Sequence, residues 1–166
     1  MNEMNLEKLY DAVQNSFPTI SENKKFQEMT NKRKWVSEFQ ENLKRNLESV
    51  EKENGWETEY TFPDQSENDR IDIFHKRSSE WIIEIDATRA DQIAKKFVSR
   101  LALCGLEDSI SYVAIMYPDT KNGKAECEKY LRYCSKIIKK TNPESVVYGL
   151  FIDPDNREKT TQVPLP

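Results

Sequence analysis

The order of apolar patterns in this chain predicts an α/β protein built on one mixed sheet with helices on its faces. Three observations carry that expectation. Period-two apolar runs at 56–62, 70–75 and 80–87 follow one another through short turn segments, amphipathic runs of period 3.6 separate the later strands, and a long amphipathic run precedes them all.

Leu6, Leu9, Tyr10, Val13 and Phe17 recur at helical spacing, and Pro18 ends that segment because it disfavours helix in the residue before it. Residues 1–30 therefore read as an N-terminal helical segment whose polar second half links it to the body. Val36, Phe39, Leu43, Leu47 and Val50 define a first core helix over about 31–53, closed by "ENG" with Gly55 suited to a left-handed cap. In "WETEYTF", Trp56, Thr58, Tyr60 and Phe62 alternate with Glu57, Glu59 and Thr61, so the acids are expected on a wet face. The turn segments "PDQSEND" and "RSSE" separate this strand from "RIDIFHK" and "WIIEIDA", close enough for antiparallel hairpins. Thr88 with Asp91 three residues on resembles a capping box for a helix whose inward stripe is Ile93, Phe97, Leu101 and Cys104, stopped by Gly105. "SISYVAIMYP" is a fourth strand. A helix over 124–140 turns Cys127, Tyr130, Leu131, Cys134, Ile137 and Ile138 inward, and "SVVYGLFID" is the last strand. Helical crossovers make the later strands parallel, with right-handed connections, whereas the early strands are antiparallel. The tail at 154–166, "PDNREKTTQVPLP", reads as loose.

Composition narrows the functional classes. The chain has 166 residues, enough for one domain with a core that needs no staples. Charged residues make up 33% of it, yet the apolar residues come in periodic blocks, which excludes disorder. No run approaches the roughly 18 apolar residues of a membrane span, and "MNEMNLEKLYDAV" has no signal-peptide character, so no membrane association and a cytoplasmic address are expected. Cys104, Cys127 and Cys134 are odd in number and lack C-x-x-C spacing, which points to reduced, mostly buried thiols. The single histidine, His75, cannot build an imidazole-rich metal site and reads as a solvated side chain. A net charge of −4 excludes a general polyanion trap, and the basic clusters in "NKRKW", "AKKFVSR" and "SKIIKK" read first as solvated helix faces.

The acids in the strands are the unusual feature. Side chains two apart on a strand share a face, so Glu84 and Asp86 project together while Trp81, Ile83 and Ile85 fill the other side, and Asp72 sits in the middle of the preceding strand. Carboxylates about 4 Å apart repel by roughly 4 kcal/mol per pair at an effective dielectric near 20, so convergence calls for a cation or a proton. Magnesium suits such hard oxygen donors and accepts phosphate oxygens as further ligands.

The element order, with "RIDIF" followed by "WIIEIDA", resembles the PD-(D/E)xK phosphodiesterase superfamily, the fold of many restriction endonucleases and Holliday-junction resolvases. The resemblance implies a restriction-endonuclease-like core, α-β-β-β-α-β-α-β, over 31–153. Asp72 matches the first acid of the motif and Glu84 the second, while Asp86 stands where that family usually has Lys. The resemblance further implies Mg²⁺ or Mn²⁺ held by Asp72, Glu84 and Asp86. The missing lysine would come from the following helix, Lys96 or Lys95, with Gln92 on the same face; the alternative is that all three merely solvate the helix. Arg89 either pairs with Asp86 or contacts phosphate, and Glu41 is one candidate for an extra helix acid. The implied activity is metal-dependent hydrolysis of nucleic acid, DNA by family habit, in defence or a mobile element, with a homodimer or partner subunit supplying target recognition. Loss of the motif lysine also admits a catalytically inactive fold that binds protein or nucleic acid. An unrelated α/β interaction protein with solvated acids is the third reading.

Overall fold

The structure is a computed structural model that describes residues 4–19, 25–29, 31–51, 55–63, 69–76, 80–104, 109–118 and 123–166. Within these residues the helices are α1 (Leu6–Gln14), α2 (Lys32–Glu51), α3 (Ala90–Cys104) and α4 (Lys124–Thr141). The strands are β1 (Glu57–Tyr60), β2 (Ile71–Lys76), β3 (Glu80–Ala87), β4 (Ile110–Tyr117), β5 (Val146–Phe151) and β6 (Thr161–Gln162). They form a single sheet in the order β1-β2-β3-β4-β5-β6. Pairing is antiparallel across β1–β2, β2–β3 and β5–β6, and parallel across β3–β4 and β4–β5. The predicted mixed α/β sheet is thus present. The proposed turn at 77–79 and the helix stop at Gly105 lie outside the described residues.

Two apolar layers hold helices against the sheet. Leu9 and Val13 of α1 and Trp35, Phe39, Leu43 and Leu47 of α2 pack on Trp81, Ile83, Ile85, Val113 and Ile115. On the opposite face, Ile93 and Phe97 of α3 and Cys127, Leu131, Cys134 and Ile138 of α4 cover Ile82, Tyr112, Ala114 and Met116. Strand alternation explains this division, because successive residues of β3 and β4 serve opposite layers. Among the described residues no helix is long and apolar enough to cross a membrane.

Several sequence expectations need correction. The C-terminal segment is ordered into the sheet: Val163 is buried, its N–H bonds the Gly149 carbonyl at 2.8 Å, and Thr161–Gln162 pair with β5. The alternation T-Q-V was short enough to pass for a loose tail. At the other end, Phe26 N–H bonds Asp155 at 2.6 Å and the Tyr10 hydroxyl bonds the Thr160 carbonyl at 3.0 Å, so the N-terminal segment packs with the body. His75 is buried rather than solvated, with its ring 4.8 Å from that of Trp56. Ile137 faces solvent, while Ser135 takes a buried position on α4. In β1, Glu59 has a φ of 53°, and beyond it Tyr60 and Phe62 pack in the α3 layer although Trp56 belongs to the α2 layer. The simple one-face alternation of "WETEYTF" is broken by that left-handed residue.

Gly149 is where β5 meets both α4 and β6. A Cβ there would lie 2.7 Å from Leu131 Cδ1 and 3.0 Å from Val163 Cγ2, both on fully enclosed side chains. Gly149→Ala is therefore expected to overpack this junction and destabilise the fold by about 1–3 kcal/mol, measured by urea unfolding. Unchanged stability would mean that β6 gives way and is not part of the packed sheet.

Candidate functional site

Hydrophobic alternation sets the direction of the acids. Ile83 and Ile85 must face the α2 layer, so Glu84 and Asp86 are turned toward α3. The register that puts Ile73 opposite Ile83 brings Asp72 beside Glu84 on the neighbouring strand. An Asp72 carboxylate oxygen accepts the Ile85 N–H at 2.7 Å, which ties the acid to the edge of β3. Asp72 is fixed from behind as well: Gln40 of α2, itself buried, donates its amide to the Asp72 carbonyl at 2.7 Å and to the Glu59 carboxylate at 3.2 Å.

Helix α3 brings two cations to these acids. Lys96 Nζ lies 2.8 Å from Glu84, 3.0 Å from Asp86 and 3.4 Å from Asp72. Arg100, one turn further on, is 1% exposed and donates Nε to Glu84 Oε1 at 2.6 Å. Its other nitrogens reach Asp69 at 2.5 Å and the Arg70 carbonyl at 2.6 Å. Because Lys96 and Arg100 are four residues apart, they stand on one helix face and grip Glu84 from its two oxygens. Four carboxylates, Asp69, Asp72, Glu84 and Asp86, share two cations, a formal charge of −2.

Burial sets the direction of shift for the acids of the cluster, and neighbouring charge sets it for the bases. Removal from water, then repulsion from Asp72, pushes the Glu84 pKa up to about 8 against the pull of Lys96 and Arg100. Burial also raises Asp86, with Lys96 opposing it. Lys96 is held above the usual lysine range: desolvation works against its charge, and Glu84, Asp72 and Asp86 outweigh it. Burial likewise disfavours the charge on Arg100, but Glu84 and Asp69 together raise its pKa. The cysteines stand apart from this chemistry. All three are free, and burial pushes Cys127 up to about 11 and Cys134 up to about 12, so they are not poised as nucleophiles.

Of the residues singled out from sequence, Asp72, Glu84, Asp86 and Lys96 are brought together. Lys95 is exposed on the adjacent azimuth, and Gln92 donates to Asp91 at 3.3 Å. Arg89 pairs with Asp91 at 3.1 Å, not with Asp86. Helix α3 begins at Ala90, where the Ile93 N–H bonds the Arg89 carbonyl. Glu41 is exposed and accepts from Thr58 at 3.2 Å, so the α2 residue that reaches β2 is its neighbour Gln40. Sequence reasoning missed Gln40, Asp69 and Arg100. For Arg100 a signal existed, since its four-residue step from Lys96 in "AKKFVSR" marks one face; reading that cluster as solvated concealed it. Among the described residues no group of three or more His, Cys, Asp and Glu side chains is disposed to hold a metal ion. Compared with family models, with curated proteins and with solved structures, the chain has no match.

Two predictions follow from the charge arrangement. Arg100→Ala strips Glu84 and Asp69 of a buried partner and should destabilise the protein by about 3–5 kcal/mol, whereas an effect below about 1 kcal/mol would show that the pair is not sequestered from water. The second concerns pH. A carboxyl whose pKa is higher in the folded chain binds its proton more tightly there, so the stabilisation is complete below the ordinary glutamate value and is lost as pH rises toward about 8. Melting temperature should accordingly fall from about pH 5 to pH 8, and Glu84→Gln should flatten that slope. A slope that survives Glu84→Gln would assign it elsewhere.

Proposed function

We propose that this chain is a metal-dependent phosphodiesterase of the PD-(D/E)xK type acting on nucleic acid, with DNA as the substrate and Lys96 serving for the missing strand lysine. The observation that supports this reading is the contact of one helix ammonium with Asp72, Glu84 and Asp86 at once, within 3.4 Å. A positive group absent from position 86 is supplied to the same cluster by α3.

The donor set suits the ion. All the candidate ligands are carboxylate oxygens, the formal charge of the cluster is negative, and Mg²⁺ needs only one or two protein carboxylates beside waters and phosphate oxygens. Asp72 and Glu84 would hold Mg²⁺ or Mn²⁺; Asp86 would serve as a third ligand only after its side chain turns from Lys96, since the three acids are not disposed to hold a metal ion as they stand. Such an ion, when bound, lowers the pKa of an attacking water and offsets charge on the phosphate. The protein's own groups do the rest of the work. Arg100 holds one oxygen of Glu84 so that the other stays directed at the cluster, and Gln40 fixes the backbone of Asp72. Lys96, whose ammonium lies 2.8 Å from Glu84, would be placed to donate to a phosphate oxygen bound at that carboxylate. Lys95 and Arg89, both exposed beside the cluster, extend the phosphate contacts. A second copy or a partner subunit would add target recognition.

A second reading, a nuclease-like fold that binds protein or nucleic acid without cleaving it, is favoured by one specific observation. Each of the four acids already has a cation within 3.4 Å. Lys96 is also less innocent than an exposed helix lysine, because its side chain is only 22% exposed and balances three acids. Lost activity in Lys96→Ala therefore has to be read beside stability.

The decisive experiment combines both measurements. Single-stranded, duplex and branched DNA, and RNA, are incubated with Mg²⁺ or Mn²⁺ and wild type, Lys96→Ala, Lys95→Ala or Glu84→Ala. Wild type is expected to cleave DNA, Glu84→Ala to be inactive, and Lys96→Ala to lose about 10²–10³ in kcat, while Lys95→Ala, at an outer phosphate contact, raises KM and leaves kcat little changed. In parallel, Mg²⁺ should raise the melting temperature of Lys96→Ala more than that of wild type, because ion and ammonium compete for the same oxygens. Absence of cleavage with every substrate, together with no Mg²⁺-dependent shift in either protein, would replace the enzyme reading with the binding fold.

A further inference from the structure

A second polar crevice opens where the three central strands end. Asp86, Met116 and Phe151 lie in one row across β3, β4 and β5 and so share a face of the sheet. At about 4.8 Å between strands, Phe151 stands roughly 10 Å from Asp86 along that row. Just beyond the row, Thr88, Pro118, Lys124, Phe151, Lys159 and Thr161 surround a crevice of about 260 Å³. It lies at the carboxyl ends of the parallel strands β3, β4 and β5.

The chemistry of the crevice differs from that of the acid cluster. Pro118 and the small exposed part of Phe151, which is 7% exposed, provide an apolar wall. The Lys124 ammonium stands over the Phe151 ring at 4.6 Å from its centroid, so that a base or sugar meets the ring where that ammonium moves to the phosphate. Lys159 approaches from the opposite segment and is held 3.6 Å from Asp153, which also borders the crevice. Both lysines are exposed, so neither charge is buried by its neighbour. Two lysines against one aspartate leave a net positive rim next to a cluster that is net negative. An apolar wall with a cationic rim is the combination that holds single-stranded nucleic acid, with base or sugar against the ring and phosphate at the ammonium groups.

We propose that this crevice binds the nucleotide adjoining the scissile phosphate, its phosphate at Lys124 and Lys159 and its sugar or base against Phe151 and Pro118. This rests on the nucleic-acid reading of the acid cluster, and it specifies a single-stranded or locally opened strand as the substrate form, because a base meets an apolar wall only when it is out of the duplex stack.

The test reads binding without catalysis. Thymidine 5′-monophosphate and a short oligothymidylate are titrated into the full chain in the presence of a chelator, followed by amide chemical shifts, with thymidine and inorganic phosphate as separate arms. Shifts are expected around Phe151 and Thr161 with both phosphorylated probes, and Lys124→Ala with Lys159→Ala should weaken the affinity at least tenfold. Where wild type cleaves, the same double substitution should raise KM at least tenfold with kcat little changed. No shift at these residues, or equal affinity in the double variant, overturns the proposal. An equal response to inorganic phosphate also overturns it, by reducing the site to an anion site without nucleotide preference. Binding in this crevice without cleavage by any metal would retain the site and reject the nuclease reading; cleavage without such binding would do the reverse.

Discussion

Glu84 is a carboxyl group with almost no access to water, and much of the molecule is arranged around compensating it. Its strand position is dictated by Ile83 and Ile85, which belong to the α2 layer and leave Glu84 no choice but the α3 side. On that side an unpaired carboxylate would be intolerable, and α3 answers with Lys96 and Arg100 on one face. Arg100 in turn commits the chain just before β2, through Asp69 and the Arg70 carbonyl. One buried acid thereby couples a central strand, a crossover helix and the entry to the neighbouring strand. Losing a single partner would propagate through all three.

The outline of the fold was readable from periodicity because both apolar layers are continuous. Where a strand is half-buried or buried with regular alternation, as in 70–75 and 80–87, sequence pattern and structure agree to within a residue. It failed where the local pattern was short or interrupted. Thr161–Gln162 is too brief for periodicity to register, and its place depends on Gly149, which lies far away in sequence. At β1 the left-handed Glu59 redistributes aromatic residues between layers, something that no alternation rule anticipates.

The candidate site was readable in its acids and only partly in its bases. Asp72, Glu84 and Asp86 announced themselves as charges inside apolar strands. Basic residues on a helix carry no such contrast, since most of them are solvated, and only the step from 96 to 100 distinguished the pair that turns inward. Gln40 was less visible still. An uncharged amide between Phe39 and Glu41 gives no signal until a backbone carbonyl from another strand is found opposite it. Contacts of side chains with distant backbone are a tertiary property, and a single sequence does not encode them in any periodic form.

The short strand β6 has a consequence for the behaviour of the protein in a crowded solution. With Val163 it covers the Gly149–Phe151 end of the outer hydrogen-bonding edge of β5, whose residues Val147, Leu150 and Phe151 are buried. The opposite margin is made by β1, which is four residues long and presents Glu57 and Glu59 to solvent. Each border of the sheet is therefore brief, and one is negatively charged, features that discourage pairing with strands of other chains. Detaching the last few residues would free the Gly149–Phe151 backbone edge and remove the cover that Val163 gives, so a stretch that resembles a dispensable appendage would, if lost, leave an apolar strand end open to pairing.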